Sequence, residues 1–223
     1  MFYIILLPKK FLQPTMKKTL VLFVMLLSIS AFSQRGRSRG MDQFSLEAGY
    51  GGNMAISPRM TDFKHFDLAF RYMIDEYWGM KFDYGSDQFR VDGNTSKGTD
   101  YHRLSAQVVH NLGRTLNISP YSDNWFNLTA HGGLGYSAIK SKSYSDVDSM
   151  GNIILGLTPQ IKITDNLALR FDGSYIINIS QDYNFNGTLH DPVNGEHFMG
   201  SLFNASVGLT LYLGRNGSDA DFR

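Results

Sequence analysis

Long runs of alternating apolar and polar residues are the feature that most constrains the fold of this chain. In the stretch NLALRFDGSYIINIS, residues 166–180, one residue parity is apolar and the other is largely polar. The apolar parity holds Leu167, Leu169, Phe171, Gly173, Tyr175, Ile177 and Ile179, and the other holds Ala168, Arg170, Asp172, Ser174, Ile176, Asn178 and Ser180. Because successive side chains of a strand point to opposite faces, the pattern predicts a β-strand with one apolar face.

The same alternation occurs in eight runs between residues 43 and 214, and helical periodicity is not sustained there. An even number of antiparallel strands can close into a barrel. The predicted connections alternate between short turns and long polar loops, as in outer-membrane barrels. The short turns lie at 74–76 and 164–166, the long loops at 51–62, 85–100, 140–150 and 181–200, and the connection 113–124 departs from the rule as a longer periplasmic excursion.

The composition of the two parities indicates which face meets which solvent. A soluble eight-stranded barrel would turn its apolar parity inward. In this chain the apolar parity carries bulky Phe, Leu, Ile, Tyr and Trp, more volume than a narrow lumen holds, whereas the other parity is rich in Gly, Ser, Thr, Ala and Asn. We therefore predict an all-β fold, an eight-stranded antiparallel transmembrane β-barrel of the bacterial outer membrane, with its apolar face in lipid.

The polar parity also carries a nearly balanced set of charged residues, which are costly to bury unless they are paired. In a lumen as narrow as that of eight strands, they predict a structural ion-pair network that plugs the barrel. A narrow, porin-like channel is the alternative that stays open. The predicted lumen residues are Glu47, Asp67, Arg71, Lys81, Asp83, Arg103, Lys162, Arg170 and Asp172.

The N-terminal segment predicts export. Residues 16–33, MKKTLVLFVMLLSISAFS, combine two lysines, an apolar run and small residues before the expected cleavage site, as a secretory signal peptide does. The apolar run is too short for a membrane-spanning helix. We interpret residues 1–15 as a misassigned upstream start, 34–42 as a flexible basic tail, 43–214 as the barrel and 215–223 as a short periplasmic tail. The chain has no cysteine, so it forms no disulfide.

Three segments resemble a known family. GNIILGLTPQIKITDNLALRFDGS, SQDYNFNG and LFNASVGLTLYLGRNGSDADF are similar to the N-terminal barrel of outer membrane protein A-like proteins, and the likeness covers roughly residues 43–222. The resemblance implies a barrel that acts as an anchor and that a peptidoglycan-binding domain normally follows. Because the sequence stops at Arg223, we expect that domain to be missing, and the resemblance carries no wall-binding residues over to this chain.

The histidines raise the alternative of a lipid-modifying outer-membrane enzyme. His102, with Asp100 and Ser105 near it in sequence, is the best candidate for a general base, but no nucleophile motif accompanies it. His190 and His197, near acidic residues in the longest loop, are candidates for a cation site, although such a loop is usually only solvated. We therefore predict a non-enzymatic protein with a structural or surface role, and no catalytic residues, cofactor or metal.

The net charge bounds the partners. A formal charge of +1 argues against a nucleic-acid partner, which usually needs a concentrated basic face. The expected partners are outer-membrane lipid and lipopolysaccharide, with a possible protein partner at the long outer loops. We predict a monomer in the bacterial outer membrane with both termini in the periplasm.

Overall fold

The structure is a computed structural model that describes residues 43–91, 94–118, 125–191, 196–213 and 221–222. The predicted upstream start, signal peptide and basic tail lie outside these residues, as does most of the predicted tail 215–223. The fold of the described chain follows from the alternation of residues that the sequence shows.

Eight antiparallel strands, each hydrogen-bonded to its neighbours in chain order, form a closed barrel. The barrel closes where the first strand pairs with the last, in a register that includes Leu46 opposite Leu211 and Tyr50 opposite Val207. The predicted fold class is therefore confirmed. The strands are β1 Gln43–Ala55, β2 Met60–Met73, β3 Trp78–Val91, β4 Asn94–Asn111, β5 Phe126–Ser141, β6 Val147–Thr164, β7 Leu167–Gln181 and β8 Phe198–Tyr212.

The two parities lie on opposite faces of the barrel wall, as predicted. The bulky apolar side chains cover the outside, and the polar parity fills the lumen. Because a closed barrel satisfies its backbone hydrogen bonds between strands, it can place this apolar face in hydrocarbon. Exposed apolar residues include Phe44, Leu46, Leu68, Phe82, Leu104, Leu134, Leu155, Leu157, Phe171, Val207 and Leu209.

Short connections lie at one end of the barrel, which we call the turn end. It carries residues 74–77 between β2 and β3, residues 165–166 between β6 and β7, and a short helix, α1 (Leu112–Thr115), after β4. Asn111 caps α1 by accepting a hydrogen bond from the Arg114 backbone N–H at 3.1 Å. None of the helices in the described part of the chain is long and apolar enough to cross a membrane.

At the opposite end of the barrel, which we call the loop end, most of the connections are shorter than the sequence predicts. Three of the four predicted long loops are largely strand, because pairing continues to Ala55 opposite Met60, Val91 opposite Asn94 and Lys140 opposite Val147. At about 3.3 Å per residue, these strands exceed the ~10 residues that a tilted strand needs to span a bilayer. The strand ends beyond the lipid meet water on their outer side, so they need no apolar face and resemble loops in sequence.

Candidate functional site

The lumen is the candidate site, because it gathers buried charged side chains from most of the strands. We call this set the lumen ion network. It contains all the predicted lumen residues except Lys162. Three further residues join them: His65 on β2, Asp87 on β3 and His131 on β5. Its members are Glu47, His65, Asp67, Arg71, Lys81, Asp83, Asp87, Arg103, His131, Arg170 and Asp172.

Glu47 on β1 joins two cations from neighbouring strands. Its Oε1 lies 2.8 Å from Nε of Arg71, and its Oε2 lies 3.7 Å from Nζ of Lys81. All three side chains are almost completely buried. A carboxylate in such a position is stabilised only if cations replace its hydration shell, and Arg71 and Lys81 do this.

Asp172 on β7 is the centre of the network. Its Oδ2 lies 3.5 Å from Nζ of Lys81, 3.7 Å from Nη1 of Arg170 and 3.1 Å from Nε2 of His131. Its carboxylate also accepts hydrogen bonds from the hydroxyls of Thr158 at 2.8 Å and Ser174 at 2.6 Å. Lys81 therefore links Glu47 and Asp172 across the lumen, since it contacts both.

Arg170 connects Asp172 to the opposite wall. Its guanidinium pairs with Asp67 on β2, more than 100 residues away in sequence, and it is completely buried. Such a pair can form only in the closed barrel, because β2 and β7 are not neighbours in the sheet. It is therefore a cross-lumen tie between strands that share no backbone hydrogen bonds.

His65 and Asp87 are two of the three network members that are absent from the set predicted from the sequence; the third is His131. Nδ1 of His65 lies 2.8 Å from Oδ1 of Asp87, and its Nε2 lies 3.5 Å from Oδ1 of Asp67. The amide groups of Asn53 and Asn204 also donate to the Asp87 carboxylate, at 3.1 and 3.2 Å. The alternation in the sequence is evident over residues 66–72 and 78–84, whereas β2 begins at Met60 and β3 ends at Val91. His65 and Asp87 continue the lumen parity of these two strands, so longer predicted strands would have revealed them.

A polar relay joins the β3–β4 wall to Asp172. Arg103 donates to Oδ1 of Asp83 at 3.0 Å, and the hydroxyl of Ser105 donates to the same oxygen at 3.2 Å. Gln107 donates to Ser105 at 2.7 Å, and its carbonyl oxygen lies 2.6 Å from Nδ1 of His131. Because His131 also contacts Asp172, the two halves of the network are continuous.

Lys162 does not join the lumen ion network. Its ammonium pairs at 2.9 Å with Asp165 in the β6–β7 turn, and both side chains are substantially exposed. Lys162 follows the lumen parity, but it lies two residues before the end of β6 at the turn end, where its side chain reaches water more easily than the buried carboxylates do. An ion pair in this position is solvated and contributes little to stability.

Glycines on the lumen face provide the room that the large cations need. A Cβ atom on Gly49 would lie 2.6 Å from Oδ1 of Asp67 and 2.7 Å from Nη2 of Arg170. A Cβ atom on Gly85 would lie 2.9 Å from Nη2 of Arg103. The predicted small residues inside the barrel are therefore packed against the ion pairs.

An apolar cluster fills the lumen at the loop end. The β7–β8 connection folds back so that Phe185 is completely buried, with its ring 4.8 Å from that of Phe89. The hydroxyls of Thr99 and Ser141 donate to backbone oxygens of this connection, at 2.9 Å to Phe185 and 2.8 Å to Gly187. We call this set the loop-end cluster; its members are Ala55, Phe89, Tyr101, Ile139, Met150, Ile154, Ile176, Tyr183, Phe185 and Leu202.

A second, smaller cluster closes the turn end. Ala168 and Tyr212 pack against Phe222, which follows β8 and is 1% exposed. Asp221, beside it, is completely buried and pairs with Arg71 at 2.6 Å. The sequence offered no sign that these two residues enter the lumen, since they follow the last strand in a polar segment.

The residues considered for catalysis do not come together. His102 faces outward and contacts the Tyr84 hydroxyl at 2.9 Å, whereas Ser105 faces the lumen. The carboxylate of Asp100 pairs with Arg90 and, at 2.6 Å, with Lys142. His102 and Ser105 therefore lie on opposite faces of the barrel wall, and no Ser–His–acid arrangement forms around His102 among the described residues.

The histidines of the β7–β8 connection also lie apart. His190 stacks on the ring of Phe198 at 4.2 Å, and His197 pairs with Asp182. In the described ranges, no group of three or more His, Asp or Glu side chains is arranged so that it could hold a metal ion.

Comparisons with known proteins place the fold. No family model and no curated protein sequence matches the chain. A major outer membrane protein from Thermus thermophilus is similar in structure, with a TM-score of 0.55 and 13% identity over 78% of this chain and 100% of that one. Neisserial surface protein A gives a TM-score of 0.49 and 12% identity, covering 76% of this chain and 95% of the other.

Ail, the attachment invasion locus protein of Yersinia pestis, gives a TM-score of 0.45 and 15% identity over 78% of this chain and 100% of that one. At these identities, structural similarity shows the fold alone. The argument for the fold rests on the Thermus protein, whose TM-score is above 0.5. The chain thus has the fold of an outer-membrane β-barrel.

Proposed function

We propose that this protein is a non-enzymatic outer-membrane barrel with a structural or surface role, and that its lumen ion network plugs the barrel. The observation that supports this most is the chain of buried contacts that crosses the lumen from wall to wall. It runs from Arg71 through Glu47, Lys81, Asp172 and Arg170 to Asp67.

A plug of this kind differs physically from the wall of an aqueous pore. Charges that line a pore keep much of their hydration, whereas the network side chains are nearly all buried against one another. Eight strands enclose an interior that side chains can fill. The loop-end cluster adds an apolar barrier on one side of the network, and Asp221 and Phe222 occupy the other.

The orientation and family belong to the same proposal. We assign the turn end to the periplasm and the loop end to the cell exterior, because short turns face the periplasm in such barrels. The barrel is of the outer membrane protein A-like type, and its apolar face contacts lipid and lipopolysaccharide. A protein partner would bind the exposed loop end.

Solute flux through proteoliposomes tests the plug. Vesicles that contain the purified, folded protein should swell in isosmotic arabinose no faster than empty vesicles, because the ion network leaves no continuous water path. A known porin in the same lipid provides the positive control. Swelling at the porin's rate would support the narrow-channel alternative instead.

The enzyme alternative has a separate test. Mass spectrometry of lipid A from cells with and without the protein should give the same species, because His102, Ser105 and Asp100 do not form a catalytic arrangement. A mass change that depends on the protein would contradict the non-enzymatic assignment.

A further inference from the structure

Asp221 lies in a site built from three strands. Its Oδ2 accepts hydrogen bonds from Nη2 of Arg71 at 2.6 Å and from the Tyr212 hydroxyl at 2.8 Å. Its backbone oxygen accepts from the Asn111 amide at 3.3 Å. These partners belong to β2, β8 and β4, so both the side chain and the backbone of Asp221 are held by the barrel wall.

The next residue occupies an apolar part of the same site. Phe222 packs with Tyr212 and with Ala168 on β7, and all three are buried. Ala168 is one of the small residues on the lumen parity, and it leaves space for the ring. The site therefore has two parts, a cationic and hydrogen-bonding part for a carboxylate and an apolar part for an aromatic ring.

Arg71 is prepared for this ligand by the lumen ion network. Its Nε is taken by Glu47 at 2.8 Å, while Nη2 points to Asp221. With side-chain exposure of 2%, the guanidinium has little access to water. A buried guanidinium is costly unless it is paired and hydrogen-bonded, and here Glu47 and Asp221 supply the two carboxylates.

We infer that Asp221 and Phe222 are an internal ligand of the barrel, and that this acidic–aromatic pair acts as a latch that closes the turn end of the lumen. The Arg71, Tyr212, Asn111 and Ala168 side chains form its binding site. The inference rests on the proposed function only in that the lumen is closed elsewhere by the ion network. It adds that Asp221 and Phe222, which follow β8 in sequence, are bound in the lumen.

Thiol accessibility tests the latch, because the natural chain has no cysteine. Ala168→Cys places a single thiol under the Phe222 ring. In detergent micelles this thiol should react slowly with a maleimide while the latch is bound. Adding Asp221→Asn should raise the labelling rate about tenfold, the opening expected from the loss of one charge-assisted hydrogen bond, and adding Phe222→Ala should raise it at least as much.

The matched control is Asp146→Asn, which neutralises an exposed acid in the β5–β6 loop and should leave the labelling rate unchanged. Equal labelling rates in the parent, Asp221→Asn and Phe222→Ala barrels would overturn the latch.

A second measurement avoids the introduced cysteine. In the natural background, Asp221→Asn should lower the temperature at which the barrel loses its compact mobility on detergent gels, whereas Asp146→Asn should not. An unchanged transition for Asp221→Asn would contradict the latch. Solute flux through the natural protein tests the ion-network plug and not the latch. If the natural protein lets no solute through but the Ala168→Cys thiol reacts rapidly with maleimide, the latch is overturned and the plug is not.

Discussion

At the scale of single residues, removing one partner of a buried ion pair should strongly destabilise the barrel. Arg170 ties Asp67 to Asp172 and has no exposed surface. Arg170→Ala leaves two carboxylates in the lumen without this cation, so we expect the free energy of unfolding to fall by about 3 kcal/mol. Urea denaturation in liposomes, followed by tryptophan fluorescence, measures the change.

Lys162→Ala is the matched control for Arg170→Ala. It also removes a cation from the lumen parity, but Lys162 pairs with a carboxylate that is 75% exposed. The expected loss is below about 1 kcal/mol. Equal unfolding midpoints for the two variants would show that the lumen charges are hydrated and not paired.

Gly49 gives a second prediction at this scale. A methyl group on Gly49 would press on the Asp67–Arg170 pair, with contacts of 2.6 and 2.7 Å to their side-chain atoms. We expect Gly49→Ala to destabilise the barrel by about 2 kcal/mol through overpacking. Gly151→Ala is the control, because a Cβ atom there would meet no atom within 4 Å. If Gly151→Ala lowered the free energy of unfolding as much as Gly49→Ala does, the loss of glycine itself would explain the result, and the crowding of the Asp67–Arg170 pair would not.

At the scale of the strand, the outer face should respond to charge according to depth. Leu155 lies on the outer face near the middle of β6, whereas Val147 begins the same strand at the loop end. Both are more than half exposed on the outer face. An arginine in place of Leu155 should cost about 2–4 kcal/mol at the membrane midplane, and one in place of Val147 at most about 1 kcal/mol near the interface.

Folding titrations into liposomes measure both variants. Similar costs for Leu155→Arg and Val147→Arg would contradict the placement of the outer face in lipid.

The strands also show what could be predicted from the sequence. The alternation along β7 predicted its two faces correctly, because lipid and a packed lumen select opposite residue types at most positions of the strand. The strand ends could not be located in this way. Beyond the lipid, the outer face of β3 meets water, so Asp87 falls in a predicted loop although it continues the lumen parity of Asp83.

Contacts between distant parts of the chain were beyond the sequence pattern. Phe185 lies in a polar connection and Asp221 lies after the last strand, and neither belongs to an alternating run. Their burial depends on the shape of the closed barrel. Phe185 packs into the apolar cluster at the loop end, and Asp221 binds Nη2 of Arg71 at the turn end. The periodicity of the sequence predicts which face of its own strand a residue occupies. It does not predict a space that several distant strands form together.

At the scale of the whole molecule, the orientation in the membrane makes a prediction. Ser145 lies in the β5–β6 connection at the loop end, and Asp165 lies in the β6–β7 turn at the turn end; both are exposed. On intact cells, a membrane-impermeant maleimide should label Ser145→Cys and should reach Asp165→Cys only after the outer membrane is permeabilised. The reverse pattern would invert the orientation.

The closed lumen that we propose depends on features at all three scales. The loop-end cluster, the lumen ion network, and Asp221 with Phe222 follow one another along the barrel, and in the proposed function ions would have to displace all of them to cross. A continuous path of water through the lumen would require the buried ion pairs to break, which is costly in a medium of low polarity.

Planar-bilayer recording of the purified, folded protein tests this closed lumen most directly. We predict a quiet baseline, without stable open-channel current steps, at voltages that the bilayer itself tolerates. Stable, large steps of uniform conductance from the natural protein would contradict the account, because they would require a continuous path of water through the ion pairs between Glu47, Lys81 and Asp172.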